Sequence, residues 1–316
     1  MTTKRALVTG GAGFIGSHVA DALIADGWTV TVLDNLSSGK REQVPAAATL
    51  VEADIRSPEA AACIRDGAFD LVCHLAAQID VRKSVTDPKY DVDVNIGGSV
   101  NLMAAVHASG RKTRMLFAST GGAVYGDFVE PPNLETYQKD PESPYGIAKF
   151  ATELYLAYYA RVHGLDYVAL RFANVYGPRQ DPHGEAGVVA IFCGRLLKGT
   201  PLTVFGDGGQ TRDYVYVGDV ARAHVLAAKL PTIPAGKVDD RAFNLGTEQE
   251  TSVLELARVL MAAAKKDSRL DHAPARPGEQ RRSVVSIQKA KAGLGWTPQV
   301  SLADGLRNTY DWFASR

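Results

Sequence analysis

The stretch Thr9-Gly10-Gly11-Ala12-Gly13-Phe14-Ile15-Gly16 constrains this chain more than any other. It follows a short β-rich run, Arg5–Thr9, and opens an amphipathic stretch, Ile15–Asp26. Gly11, Gly13 and Gly16 satisfy G-x-G-x-x-G, and Gly10, Gly13 and Gly16 satisfy G-x-x-G-x-x-G. Glycine permits the tight turn and lets backbone N–H groups approach a pyrophosphate at the positive end of a helix. Glycine turns also join strands to helices for purely steric reasons, so context has to decide. Asp34 supplies it, at the end of the second β-rich run and about 20 residues on, as a dinucleotide-binding unit requires. A carboxylate there accepts both ribose hydroxyls and repels a 2′-phosphate, which favours NAD over NADP. The competing role for Asp34 is a turn residue in Asp34-Asn35-Leu36-Ser37-Ser38-Gly39.

The rest of the first half repeats the same rhythm. Candidate strands are Arg5–Thr9, Thr29–Leu33, Thr49–Glu52, Asp70–His74, Met115–Ser119 and Tyr167–Phe172. Amphipathic stretches run near Ile15–Asp26, Pro58–Asp66, Val92–Ala108 and Pro144–His163. Alternation at this spacing predicts an α/β, Rossmann-type doubly wound parallel sheet, with ligands at the carboxyl ends of its strands. After Asn174 the pattern loosens into Pro178, Pro182, Gly184 and Gly187. The expected division is a nucleotide-binding domain over 1–174, with 209–246 returning to it. A smaller substrate lobe is expected from 175–208 and 247–316.

Charge and composition narrow the partners. Lys+Arg and Asp+Glu balance at 35 each, so no basic footprint calls for nucleic acid or an anionic membrane. No apolar run approaches membrane-spanning length, and the start reads as a strand and not as a signal peptide. Cys63, Cys73 and Cys193 lack C-x-x-C spacing, and the histidines show no metal-ligand pattern. The expectation is a cytoplasmic protein without a metal site.

Chemistry enters at Ser143-Pro144-Tyr145-Gly146-Ile147-Ala148-Lys149. Ser143 can cap a helix whose first residue is Pro144. Tyr145 and Lys149 then share a helix face, where an ammonium lowers the pKa of a phenol toward the range of a general base. A Tyr–Lys pair on a helix is common in arbitrary sequences; the glycine motif makes catalysis the better reading. A second candidate is Ala118-Ser119-Thr120-Gly121-Gly122-Ala123-Val124-Tyr125-Gly126, two hydroxyls at the end of the fifth strand. Either Ser119 or Thr120 could face a substrate there.

Taken together, these residues resemble the extended short-chain dehydrogenase/reductase family, in its nucleotide-sugar, UDP-glucose 4-epimerase-like branch. The resemblance spans nearly the whole chain, including Asp54-Ile55, His74 to Gln78, Asn95, Asn174, Thr211-Arg212-Asp213-Tyr214 and Arg276-Pro277-Gly278-Glu279. It implies tightly held NAD, bound by Gly10, Gly13, Phe14, Ile15, Gly16, Asp34, Asn35, Ser38 and Gly39. Asp54 and Ile55 would flank the adenine, and Leu75, Ala76, Ala77, Gln78 and Asn95 would line the middle of the cofactor, with Tyr145 and Lys149 at its reactive end. His74 is read as a satisfied core histidine. For a UDP-sugar the resemblance implies Thr120, Tyr145, Asn174, Val189, Thr203, Phe205, Arg212, Arg276 and Ser283, the two arginines gripping phosphates. The independent role of Val189 is helix packing.

The implied reaction is 4-epimerisation of a UDP-hexose, UDP-glucose or UDP-galactose, through a transient 4-keto sugar. Sugar-nucleotide dehydratases and decarboxylases of the family carry acids after the hydroxyls, where this chain has Gly121-Gly122-Ala123. Ser283, small at a position beside the sugar, suggests that N-acetylated sugars also fit. Arg281 and Arg282 raise UDP-glucuronate as the alternative. A non-enzymatic NAD sensor on the same fold would not need the Tyr–Lys pair. The resemblance also implies a homodimer through a four-helix bundle built from Val92–Ala108 and Pro144–His163.

Overall fold

The computed structural model describes residues 4–182, 187–275 and 280–316. In chain order, β1 (Arg5–Thr9), α1 (Phe14–Ala25), β2 (Thr29–Asp34), β3 (Thr49–Glu52), α2 (Pro58–Asp66), β4 (Leu71–His74), α3 (Val81–Thr86) and α4 (Pro88–Val92) come first. A π-helical turn (Asp93–Gly98), α5 (Ser99–Ala108), β5 (Arg114–Thr120), α6 (Pro144–His163) and β6 (Asp166–Phe172) complete the first half. Then come β7 (Asn174–Tyr176), α7 (Val188–Leu197), β8 (Leu202–Phe205), β9 (Thr211–Arg212), β10 (Tyr214–Tyr216), α8 (Val217–Lys229) and β11 (Ala242–Leu245). The chain closes with β12 (Thr251–Ser252), α9 (Val253–Ala264), β13 (Leu270–Ala273), β14 (Arg282–Ser283), α10 (Gln288–Leu294) and α11 (Leu302–Ala314).

Seven strands form one parallel sheet in the order β11-β6-β5-β4-β1-β2-β3. Strand order reverses between β1 and β4, so the carboxyl ends of these strands open a crevice, the place where such sheets bind ligands. Side chains alternate across the sheet as strand geometry requires. Val8, Val32, Leu116 and Leu170 meet α1 and α8 on one face. Leu7, Leu33, Met115 and Phe117 meet Leu102, Val106 and Leu156 on the other. A third core of Val189, Phe192, Leu202, Val204, Leu256, Leu260 and Leu306 lies off the sheet.

The expected strands and helices all form, with two differences. The Val92–Ala108 stretch is not one helix, because α4 gives way to the π-helical turn before α5 begins. The segment 209–246, which the sequence assigns back to the nucleotide-binding domain, contains β11, and β11 pairs with β6 at the sheet edge. Ala290, Leu294 and Trp296, expected in the substrate lobe, pack into the core beside α8. The Trp296 indole donates to Asp219 O at 2.8 Å, which satisfies its one polar group in that core.

Candidate active site

The glycine turn sits at the carboxyl end of β1. Gly10 has φ +69°, and a Cβ on it would stand 2.7 Å from Ala76 N. A Cβ on Gly16 would stand 2.1 Å from Gly10 O. The turn therefore closes only with bare backbone, and it leaves the N-terminus of α1, at Phe14, Ile15 and Gly16, without a side-chain cap. Those amides carry the positive end of the helix dipole.

Asp34 ends β2 beside this turn. Its Oδ2 accepts from Ala12 N at 3.0 Å and its Oδ1 from Leu36 N at 2.9 Å. Burial pushes its carboxyl up, against the pull of those two amides. Gly39 packs against both Ala12 and the Asp34 carboxylate, and Lys40 N donates to Ala12 O, so the loop carrying exposed Ser38 folds over the turn. Asp54 accepts two bonds from the Arg56 guanidinium and one from Asn35 Nδ2, which holds its carboxyl well below the usual range. It thereby fastens the end of β2 to the end of β3, and Ile55 beside it is buried in the core.

Past β4, the Leu75, Ala76, Ala77 and Gln78 backbone crosses the crevice. Asn95 clamps it: its Oδ1 accepts from Gln78 N and its Nδ2 donates to Gln78 O, both at 2.9 Å. The Gln78 side chain is held in turn by Asp80 and Asp91. Both amide side chains are thus engaged by protein, and Asn95 fixes the Leu75–Gln78 strip through the backbone of Gln78. His74 is enclosed below. Ser99 Oγ donates to Asn95 O, so it accepts from His74 Nε2–H, and His74 Nδ1 accepts from Thr9 Oγ1. Burial, aided by Lys149, pushes the imidazole down to about 3, and it stays neutral.

The two hydroxyls left open by the sequence separate here. Adjacent residues of β5 point to opposite faces. Ser119 is buried and donates to Glu153 Oε1 at 2.5 Å, within an ion pair between Glu153 and Arg171 in which neither side chain is exposed. Thr120 points into the crevice. A Cβ on Gly122 would lie 3.7 Å from Ser283 Oγ and 3.9 Å from both Asn174 Oδ1 and Thr120 Oγ1. Three polar atoms from three separated segments thus surround one residue that has no side chain.

Helix α6 starts as its sequence predicts, with Ser143 Oγ accepting from Gly146 N at 3.1 Å and Pro144 in the first turn. Tyr145 is half-buried and Lys149 is buried, with Lys149 Nζ 5.8 Å from the centre of the Tyr145 ring. Lys149 Nζ donates to Ala118 O at 2.9 Å, which docks α6 on β5 just before the two hydroxyls. Burial pushes the ammonium down to about 8, while Asp91 and then Glu153 favour its charge.

Among the remaining expected residues, Asn174, Arg212 and Ser283 come together. Asp213 joins them, because its carbonyl accepts from Asn174 N at 2.8 Å and its amide donates to Ser283 O at 3.0 Å. Arg212 and Ser283 are paired neighbours on β9 and β14. Thr203 and Phe205 share one face of β8, opposite Leu202 and Val204 of the third core. The Val189 side chain is buried in that core, as an apolar residue in the first turn of α7 demands. Arg276 lies outside the described residues. Sequence reasoning gave no role to Asp91 or Glu153, and it read Gly122 only as the absence of an acid. The first two stand four residues before Asn95 and four after Lys149, the helical spacing that marks side chains on one face.

Residues 6–246 match the model of the NAD dependent epimerase/dehydratase family. The chain belongs to this family. The UDP-glucose 4-epimerase of Mycolicibacterium smegmatis is 43% identical over 99% of each chain. The structure of the UDP-glucose 4-epimerase of Thermotoga maritima, solved with UDP-glucose, superposes with a TM-score of 0.93 at 47% identity, covering 98% of this chain and 99% of that one. That of Thermus thermophilus, in complex with NAD, gives a TM-score of 0.91 at 46% identity, with coverage of 98% and 99%. Membership makes this an NAD-using enzyme on a Rossmann-type fold.

The site fits that cofactor. The bare-backbone turn at Gly10 and Gly16 and the uncapped amides of α1 have the chemistry of an anion cradle, and the Asp34 carboxylate beside them that of an acceptor for ribose hydroxyls. No described helix is long and apolar enough to cross a membrane.

Proposed function

We propose that the enzyme is a UDP-hexose 4-epimerase acting on UDP-glucose and UDP-galactose. The observation that carries this reading is the space at Gly122, where Thr120, Asn174 and Ser283 converge, while the Ala118–Gly126 segment, whose Ala118 carbonyl holds Lys149, offers no carboxylate. Eliminating water or carbon dioxide calls for an acid or base beyond the Tyr–Lys pair, and that segment holds none. Bound NAD supplies reversible hydride chemistry at C4. Tyr145 is the general base that takes the proton of the sugar 4-hydroxyl and later returns it. Lys149 holds positive charge beside it and anchors the nicotinamide ribose. Thr120 bonds the 4-oxygen, since the Ser119 hydroxyl is spent on Glu153. The glycine turn and α1 hold the pyrophosphate, Asp34 the adenosine ribose, and Asn174, Arg212 and Arg276 the sugar-nucleotide phosphates.

Small Gly122 and Ser283 support room for an N-acetyl group as well. UDP-glucuronate loses its footing, because Arg281 is paired with Asp207 and Arg282 with Glu250 and Glu130. A homodimer through α5 and α6 is supported by an outward stripe of Ile147, Leu154, Tyr155, Tyr158 and Val162 on α6. The third core supports a substrate lobe over 175–208 and most of 247–316. Three unpaired thiols suit a cytoplasmic setting. The test is incubation of purified protein, without added NAD, with UDP-glucose, UDP-N-acetylglucosamine and UDP-glucuronate separately. A C4 epimer from the first is expected, and none from any of them defeats the reading.

A further inference from the structure

Lys149 carries a charge that the hydrogen bonds around it satisfy only in part. Its Nζ donates to Ala118 O and lies 4.9 Å from the centre of the Phe117 ring. A carbonyl dipole and a ring face provide partial negative charge, less than a buried ammonium requires. The titratable groups around it are His74 from β4, Tyr145 and Glu153 from α6, and Asp91 from α4, a helix that packs on α6 and is tied to it through Asn95, which bonds both Asp91 and Thr152. His74 is neutral. Glu153 is committed elsewhere: Arg171 Nε and Nη2 reach its two oxygens at 3.0 and 2.6 Å, and Ser119 bonds it as well. Asp91 forms no ion pair of its own among the described residues. It is fully buried, and its Oδ1 accepts from Gln78 Nε2 and Asn95 Nδ2, each at 2.9 Å. Its Oδ2 has no hydrogen-bond partner among the described residues. A carboxylate left so is costly unless a positive charge stands near.

We propose that Asp91 is the counter-charge of Lys149, a positioning residue that keeps the lysine an ammonium while its other oxygen holds the Gln78–Asn95 clamp. The proposal rests on the role given to Lys149 above. One carboxylate then sets both the shape of the cofactor strip and the charge at its reactive end. Burial opposes the charge on each partner, and each favours the charge of the other; for Lys149, Asp91 outweighs Glu153. Asp91→Asn separates the two duties, since an amide oxygen can still accept from Gln78 and Asn95 while the charge is gone.

The experiment is a titration of the holoenzyme carrying ¹³C-labelled lysine, followed by NMR, with the Lys149 Cε signal assigned by its loss in Lys149→Met. In Asp91→Asn the Lys149 midpoint is expected to fall by about one pH unit, and the alkaline limb of kcat to fall with it. An unmoved midpoint in the folded variant overturns the proposal. Should Asp91→Asn fail to fold, the wild-type signal decides: a second, smaller inflection is expected as Asp91 takes up a proton, and a single inflection overturns the proposal. Because the titration reads Lys149 itself, it gives its answer even if no UDP-sugar is turned over.

Discussion

The Ser119 hydroxyl donates to the Glu153 carboxylate at 2.5 Å, beneath the sheet end where Thr120 turns toward the crevice. Two adjacent hydroxyls therefore have different duties. Ser119→Ala should cost about 1–3 kcal/mol of stability, the penalty for removing a hydrogen bond from a buried charged group, and leave most of the turnover. Thr120→Val should keep the fold and lower kcat about 100-fold, the scale of a lost proton-transfer partner. Denaturant unfolding together with kcat for each variant checks the pair.

Gly122 has room for a methyl group. A Cβ there would sit in ordinary contact with Ser283 Oγ, Asn174 Oδ1 and Thr120 Oγ1, the nearest at 3.7 Å. Gly122→Ala should therefore fold normally and raise KM for the UDP-sugar about tenfold, the worth of one methyl group in a pocket. N-acetylated sugars should suffer more than UDP-glucose. Steady-state kinetics on both substrates, beside Tm, measures this.

Gly16 has no such room. Its substitution by alanine forces a carbon to 2.1 Å from Gly10 O, so the turn must open. Gly16→Ala should lose about 4 kcal/mol or more, in the tail of single-residue effects, and purify without NAD. The cofactor released on acid denaturation, counted per chain, gives the answer.

Lys149 makes turnover sensitive to alkali. Its folded pKa is lowered to about 8 by burial, so the ammonium is present below that pH and lost above it. Turnover should fall as pH rises through that value, while binding of the UDP moiety, which uses arginines that stay charged, persists. A kcat profile from neutral to alkaline pH, with UDP affinity measured in parallel, tests the sign.

How much of this the sequence displayed depended on the range of the forces involved. Local periodicity and caps were enough to place α6, from Pro144 to His163, and the glycine turn with Asp34. The break after Val92 was hidden, because a π-helical turn keeps the apolar content of a helix while changing its phase. Side-chain destinations set by distant partners were hidden as well. Val189 is drawn into the third core, Arg281 and Arg282 find acids 74 and 32 residues away in sequence, and Asp91 is carried toward α6 only through packing of α4 on that helix. The choice between Ser119 and Thr120 depended on Glu153, which local sequence could not connect to β5.

The central claim is that the C4 hydrogen leaves the sugar and returns to the same molecule on its other face. UDP-glucose deuterated at C4, incubated with the purified enzyme and excess unlabelled NADH, tests it by mass spectrometry of the product. UDP-galactose that keeps its deuterium at C4 is the result predicted here; product with the label exchanged into solvent or the NADH pool, or no UDP-galactose at all, would contradict it.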